Sequence, residues 1–295
     1  MIGTSSAKLQ VLAAAVLFGT TGTAQALGPD SSTPLTVGAV RILIGGGLLA
    51  ATALATGGWR GRWPLPLVFV AGIGVAVYQL AFFEAVARTG VGVGAVVAIG
   101  SGPVFAGFLE RLALGTWPGG RWLLATATAV LGVAVLTLAS ESGGSLSVDG
   151  IALALVSGLG YATYTVVAKL ILRLGHTPFA VMGASFGLGA LLLLPVLVVG
   201  DTAWLRSSGG LALALYLGIL PTAVAYILFA RGLQRLSAAE VTTLVLAEPI
   251  VALVLGVVVL DEQLGVGGII GSALVLVGLM LLARRETTAR LEVVT

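Results

Sequence analysis

Ten apolar runs of about 20 residues, beginning near Leu9, Leu35, Leu67, Val91, Leu123, Ile151, Phe179, Leu211, Val241 and Val266, take up most of the 295-residue chain. Each is long enough to cross a ~30 Å hydrocarbon core as one α-helix. The connectors are short and carry turn residues: Gly57-Gly58, Trp63-Pro64, Gly119-Gly120, Ser142-Gly143-Gly144, His176-Thr177-Pro178 and Ser207-Ser208-Gly209-Gly210. None has room for a soluble domain. The first run continues through Thr20, Thr21, Thr23 and Gln25, unlike the core of a cleaved signal peptide, and reads as a retained helix. The expectation is an all-α, multi-pass integral membrane protein of ten transmembrane helices, with the lipid bilayer as its surroundings.

Composition narrows the chemistry. Charged residues make up 9 % of the chain, against roughly 25 % in soluble domains. The 43 glycines are dispersed through apolar runs, where bilayer helices use small residues for close packing. Without Cys and with His176 as the single histidine, disulfides, thiolate metal sites and histidine clusters are excluded, so no metal and no cofactor is expected. The net charge of +3 comes without a basic face carrying interleaved aromatics, which argues against nucleic acid.

Arginine and lysine placement gives an orientation. With the N-terminus inside, Lys8, Arg60, Arg62, Arg111, Arg121, Lys169, Arg173, Arg231, Arg235, Arg284, Arg285 and Arg290 fall inside, and Arg88 and Arg206 outside. Asp30, Glu141, Asp149, Asp201, Asp261 and Glu262 collect in the outside loops. Both termini are therefore expected in the cytoplasm. A shift of 146 residues lays Gly72 on Gly218, Phe83 on Phe229, Pro103 on Pro249 and Gly132 on Gly278. A slightly smaller shift sets Phe18-Gly19 against Tyr161-Ala162. The chain thus divides into residues 1–143 and 144–295, two five-helix repeats. Five is odd, so the second starts on the opposite side of the membrane and the repeats are inverted.

Leu246-Ala247-Glu248-Pro249, Asp261-Glu262 at the end of that run, and Gly271 and Gly278 in the last run resemble the signature of EamA-type members of the drug/metabolite transporter superfamily. The first half resembles it in degraded form, through Ser101-Gly102-Pro103, Gly115-Thr116, Gly132 and Phe18-Gly19. The resemblance covers the whole chain and looks closest to the aromatic amino-acid exporter branch. It implies export of amino acids or amphiphilic compounds through a central cavity lined by spans 1, 3, 4, 6, 8 and 9.

Polar groups inside the runs are the candidate site. Glu248 sits near mid-depth, where an ionised acid costs roughly 2.5 to 3.5 kcal/mol on insertion scales. It reads as a proton carrier, as a receiver for a substrate ammonium, or as a partner for backbone groups freed by Pro249. Gly102 holds the same position in the first half. Arg41 and Glu84 read as an ion pair or as snorkelling charges, with Arg41 alternatively holding a substrate carboxylate by its planar fork. Ser157, Tyr161 and Tyr164 recur at i, i+4 and i+7 on one helical face. Tyr78, Gln79 and Phe82 in the third run, Phe18, Thr21 and Gln25 in the first, and Ser101 in the fourth join them. Such groups line a cavity for an amphipathic solute or bond between helices. Pro103 and Pro249 at matching depth, and Pro221 without a counterpart, are candidate hinges or static kinks.

Two motifs lead nowhere. Gly183-Ala184-Ser185-Phe186-Gly187 matches a serine-hydrolase elbow, but lies in an apolar helix where it reads as a small-residue packing face. Gly90-Val91-Gly92-Val93-Gly94 lacks the strand and acidic residue of a dinucleotide site and reads as helix entry and packing. No nucleophile with a base is visible, so no enzyme is expected. The functional expectation is a cytoplasmic (inner) membrane exporter of amino acids and related small amphiphilic metabolites, working as a monomer by alternating access. Proton-coupled multidrug or metabolite export through Glu248, and a passive facilitator, are the alternatives.

Overall fold

The computed structural model describes residues 4–140, 147–261, 263 and 265–283. The expected connector Ser142-Gly143-Gly144, with the repeat boundary inside it, lies outside the described residues, as do Glu141, Glu262, Arg284, Arg285 and Arg290. Eight helical stretches are long and apolar enough to cross a membrane. They are α1 (Thr4–Ala26), α2 (Pro34–Ala55), α3 (Leu65–Thr89), α4 (Val93–Leu114), α6 (Val148–Arg173), α7 (Pro178–Val199), α8 (Ser208–Leu233) and α9 (Ala238–Val259). Two further helices, α5 (Gly119–Ser140) and α10 (Val266–Ala283), have shorter apolar parts, Gly119–Val135 and Val266–Leu282. The chain is a helical, multi-pass membrane protein. Val198 and Val199 are 85 % and 89 % exposed, an arrangement that water would penalise and lipid does not.

Local chemistry starts the helices. Thr33 before Pro34 and Thr177 before Pro178 place a capping hydroxyl next to a proline whose missing N–H costs nothing at a helix start. Ser147 and Ser207 cap α6 and α8, and Ser237 with Glu240 forms a reciprocal capping box on α9.

Packing is by close approach of small residues. α5 lies against α10, α2 against α7, α6 against α3 and α4, and α1 against α8 and α9. At the first of these interfaces a Cβ on Gly132 would stand 2.5 Å from Val275 N and 2.7 Å from Gly271 O. One on Gly278 would stand 2.7 Å from Ala125 O and 2.8 Å from Ala129 N. Gly72 meets the Leu188 side chain between α3 and α7, and Gly218 meets the Ile44 side chain between α8 and α2. At one end of the molecule Lys8 donates to Leu282 O at 2.7 Å and Arg121 to Leu281 O at 2.8 Å, so α1 begins, α5 begins and α10 ends there together.

Among the described residues the spans depart from plain helix between α3 and α4, in α8 and in α9. Helical backbone runs unbroken from Leu65 to Leu114, yet a Cβ on Gly94 would lie 3.1 Å from Val86 Cα. In a straight helix those residues stand about 12 Å apart. The chain therefore reverses tightly near residues 90–92, where a separate loop is not used. In α8 the turn widens to a π-helix over Ile219–Val224 around Pro221, and Thr222 Oγ1 donates to Leu217 O at 2.7 Å. In α9 the helix breaks between Ala238–Val245 and Glu248–Val259. Leu246 N bonds Thr243 O at 3.1 Å and Ala247 N bonds Leu244 O at 3.2 Å, the i to i−3 pattern of a tightened turn.

Pro103 and Pro249 are thus not equivalent. Pro103 sits in continuous helix while Pro249 follows the break, and Pro221 lies in the π-turn of α8.

Gly132→Ala places a methyl group against backbone on α10 and is expected to destabilise by about 1 to 3 kcal/mol, read as a lower thermal midpoint in detergent. Gly47→Ala, where a Cβ meets nothing within 4 Å, leaves the midpoint unlowered.

Candidate functional site

Aromatic rings from five helices form one wall. Tyr78 on α3 lies 6.2 Å from Phe82, 5.8 Å from Tyr161 and 6.3 Å from Tyr164, centroid to centroid. Tyr164 on α6 reaches Tyr226 on α8, whose ring is 5.0 Å from Phe18 on α1 and 4.1 Å from Phe186 on α7. The Tyr164 and Tyr226 hydroxyls share a hydrogen bond at 3.2 Å. Heptad-like spacing explains the α6 part, since Ser157, Tyr161 and Tyr164 do share a face. Ser157, however, is fully buried and donates to Tyr78 O at 3.1 Å, so it joins α6 to α3 and lines nothing.

Polar atoms without partners sit along this wall. Among buried side-chain atoms of the described residues, Thr21 Oγ1, Arg41 Nε, Gln79 Nε2 and Tyr161 Oη have no hydrogen-bond partner. A fifth, Ser272 Oγ on α10, belongs elsewhere. Buried polar groups are nearly always satisfied, and leaving one unpaired costs about 1 to 3 kcal/mol. Arg41 Nη2 donates to Gln79 Oε1 at 3.4 Å, and the guanidinium also faces the Tyr78 hydroxyl.

Glu248 is half-buried at the start of the second α9 segment, in the electrostatic field of Arg41, and it acts in turn on Tyr78, Tyr161 and Tyr226. Arg41 and Glu248 do not close into an ion pair within 4 Å. A cation and an acid thus face one aromatic wall at a distance, with unsatisfied donors beside the cation.

The remaining candidates divide. Arg41 and Glu84 are not brought together: Glu84 accepts from Arg88 at 2.8 Å on the surface, one helical turn away on its own helix, while Arg41 turns inward to Gln79. The ion-pair reading is corrected by that geometry. Gln25 is half-buried one turn beyond Thr21, and Phe82 closes the aromatic row. Ser101 bonds back to Ala98 O at 3.2 Å and packs against Gly158, a helix contact. Gly102, in the position equivalent to Glu248, would place a Cβ 2.7 Å from the Tyr161 ring, so that ring takes the room an acid occupies in the other half.

Sequence reasoning missed Phe186 and Tyr226, which complete the wall. It also missed a buried bridge in which Thr243 Oγ1 accepts from Trp122 Nε1 at 3.1 Å and shares a hydrogen bond with Thr126 at 2.8 Å. Aromatic spacing in the eighth run was the signal available for Tyr226. An open apolar groove of about 340 Å³ lies apart from this cluster, between α2, α7 and α8, with Phe179 under the Arg231 guanidinium. Among the described residues its lining contributes no buried side-chain atom without a hydrogen-bond partner, and it is read as a lipid-side crevice.

The model of the EamA-like transporter family matches residues 5–138 and again 148–284. An uncharacterised transporter of Bacillus subtilis, YwfM, is 41 % identical over 95 % of this chain and 96 % of its own. A protein of Streptantibioticus cattleyicolor named as a probable terminal-alkyne amino-acid exporter is 28 % identical over 83 % of each. A solved crystal structure superposes with a TM-score of 0.79 at 24 % identity, covering 94 % of this chain and 96 % of that one, which speaks to the fold.

Tyr161→Phe removes a hydroxyl that has no partner, so its thermal midpoint is expected at or above that of the parent. Tyr164→Phe leaves the Tyr226 hydroxyl unpaired and should lower stability by about 1 kcal/mol. Paired melting curves in one detergent check both.

Proposed function

The chain belongs to the EamA-like transporter family, and from that membership we propose that it exports amino acids and related small amphiphilic metabolites by alternating access. The observation that carries the reading is the set of unsatisfied donors at Arg41 and Gln79 opposite Glu248, across a wall of tyrosine and phenylalanine rings. A zwitterion with an apolar side chain matches it group by group. Its carboxylate suits the planar guanidinium fork and the Gln79 amide, its ammonium suits Glu248, and its side chain suits the rings. The amino-acid exporter among the relatives supports the same cargo class.

The transport cycle proposed is that of two inverted five-helix units, residues 1–143 and 144–295. Two successive family matches support the division. The pairwise packing of α1 to α10 supports a twofold relation: a shift of 146 residues carries the contact of Gly132 with Gly271 and Val275 onto that of Gly278 with Ala125 and Ala129. Five crossings per unit make the second unit enter from the other face, and the shared end of α1 and α10 supports an even total of ten. Lysine and arginine bias supports a cytoplasmic placement of that end, and an inner-membrane location is part of the same proposal. A single chain holds every group of the proposed site, which supports function as a monomer.

A second reading gives Glu248 the part of a proton carrier in multidrug or metabolite export, favoured by its half-buried position at a helix break. Liposomes containing the purified protein separate the two. Counterflow of a radiolabelled amino acid is expected, with Arg41→Met lowering it about tenfold or more, the loss of one charge-assisted hydrogen bond. In Glu248→Gln, accumulation driven by a pH gradient disappears while counterflow persists if the acid carries the proton. Failure of every amino acid to exchange removes the cargo and leaves the family.

A further inference from the structure

Two buried charges lie outside the site, near the turn that joins α8 to α9. Lys169 on α6 is 5 % exposed, and its Nζ donates to Leu233 O at 2.5 Å and Leu236 O at 2.7 Å, at the C-terminal end of α8. Glu110 on α4 is 1 % exposed, and its Oε2 accepts from Ala239 N at 3.2 Å, in the first turn of α9. Each charge has the sign that the helix end opposite it favours: a cation on carbonyls, an anion on amides. Glu110 and Glu240 attract Lys169 and Arg173 repels it, and neither Lys169 nor Glu110 is in an ion pair within 4 Å among the described residues.

The turn they grip, residues 234–237, connects the two spans that carry Tyr226 and Glu248. On α9 the helix breaks between the turn and Glu248, while on α8 regular helix runs from Tyr226 to the turn and the π-turn at Ile219–Val224 lies beyond Tyr226. The corresponding turn in the first half is the one between α3 and α4. There the position equivalent to Glu110 is Gly256, and the position equivalent to Lys169 falls among Thr23 to Ala26, none of them basic. The two equivalent turns are therefore held by different residues.

We propose that Lys169 and Glu110 form a clasp on the α8–α9 turn that holds this end of the substrate path shut and must release for it to open. They are positioning residues for transport, acting on Tyr226 and Glu248 through the turn. Resting on the alternating-access reading, the clasp sets the balance between the two openings: weakening it favours the state open at the end that carries the N-terminus.

The chain has no cysteine, so single thiol reporters can be installed directly. Thr242→Cys, buried beneath the clasp, reports on this end. Thr21→Cys, beside the aromatic wall, reports on the other. Each is labelled with a membrane-impermeant maleimide applied to one face of oriented vesicles. Lys169→Met and Glu110→Met, each combined with one reporter, are expected to raise labelling of the Thr242→Cys reporter from the N-terminal face about tenfold. They are expected to lower labelling of the Thr21→Cys reporter from the opposite face by a similar factor. Lys169→Arg, which keeps the donors, restores both rates. Unchanged rates in both variants overturn the clasp, and so does a rise at both reporters, which marks a loosened fold. The rates are read without substrate, so this result stands apart from the counterflow assay, whose failure would remove the cargo and not the clasp.

Discussion

A bilayer core offers no hydrogen-bond partner to a freed backbone group, and each unpaired group costs several kcal/mol there. The π-turn of α8 and several helix ends are answered inside the molecule for that reason. Pro221 removes an N–H, and the Thr222 hydroxyl takes up Leu217 O. The last carbonyls of α10 receive Lys8 and Arg121, those of α8 receive Lys169, and the first turn of α9 donates to Glu110. Charges in this protein mostly serve helix ends, where they sit close to the dipole they oppose.

Among the described residues five buried side-chain atoms are left unpaired, and Ser272 Oγ on α10 is the one that lies apart from the rest. Four buried polar atoms on α1, α2, α3 and α6 stay unpaired, and they line one aromatic wall with Glu248 in the field of Arg41. Unpaired buried donors are costly, and the proposed solute carries the groups that would satisfy them. The aromatic rings supply the other requirement, a wall that is apolar on its face and polar at its hydroxyls.

Close glycine contacts set what can move. α5 and α10 meet backbone to backbone at Gly132 and Gly278, as do α2 and α7 at Gly46 and Gly183, so these pairs pack as rigid units. The π-turn of α8 and the break of α9 lie on spans outside those pairs.

Much of this was legible in the residues. Apolar runs of bilayer length and the 146-residue recurrence of Gly72, Pro103 and Gly132 depend on periodicity along the chain, which needs no knowledge of neighbours. The same holds for the family signature around Glu248 and Pro249, and for the shared face of Tyr161 and Tyr164. Partnership was not legible. Arg41 could turn to Glu84 or to Gln79, Ser157 could line a cavity or cross to Tyr78 O, and two prolines at equivalent positions could kink alike or not. Helix packing settled each, because an atom's partner is set by which helix lies across from it. Order along the chain was enough to specify ten apolar runs and membership of a transporter family. Which polar atoms the helices satisfy and which they leave open emerged with the packed molecule, since satisfaction is a property of pairs that lie tens of residues apart in the chain.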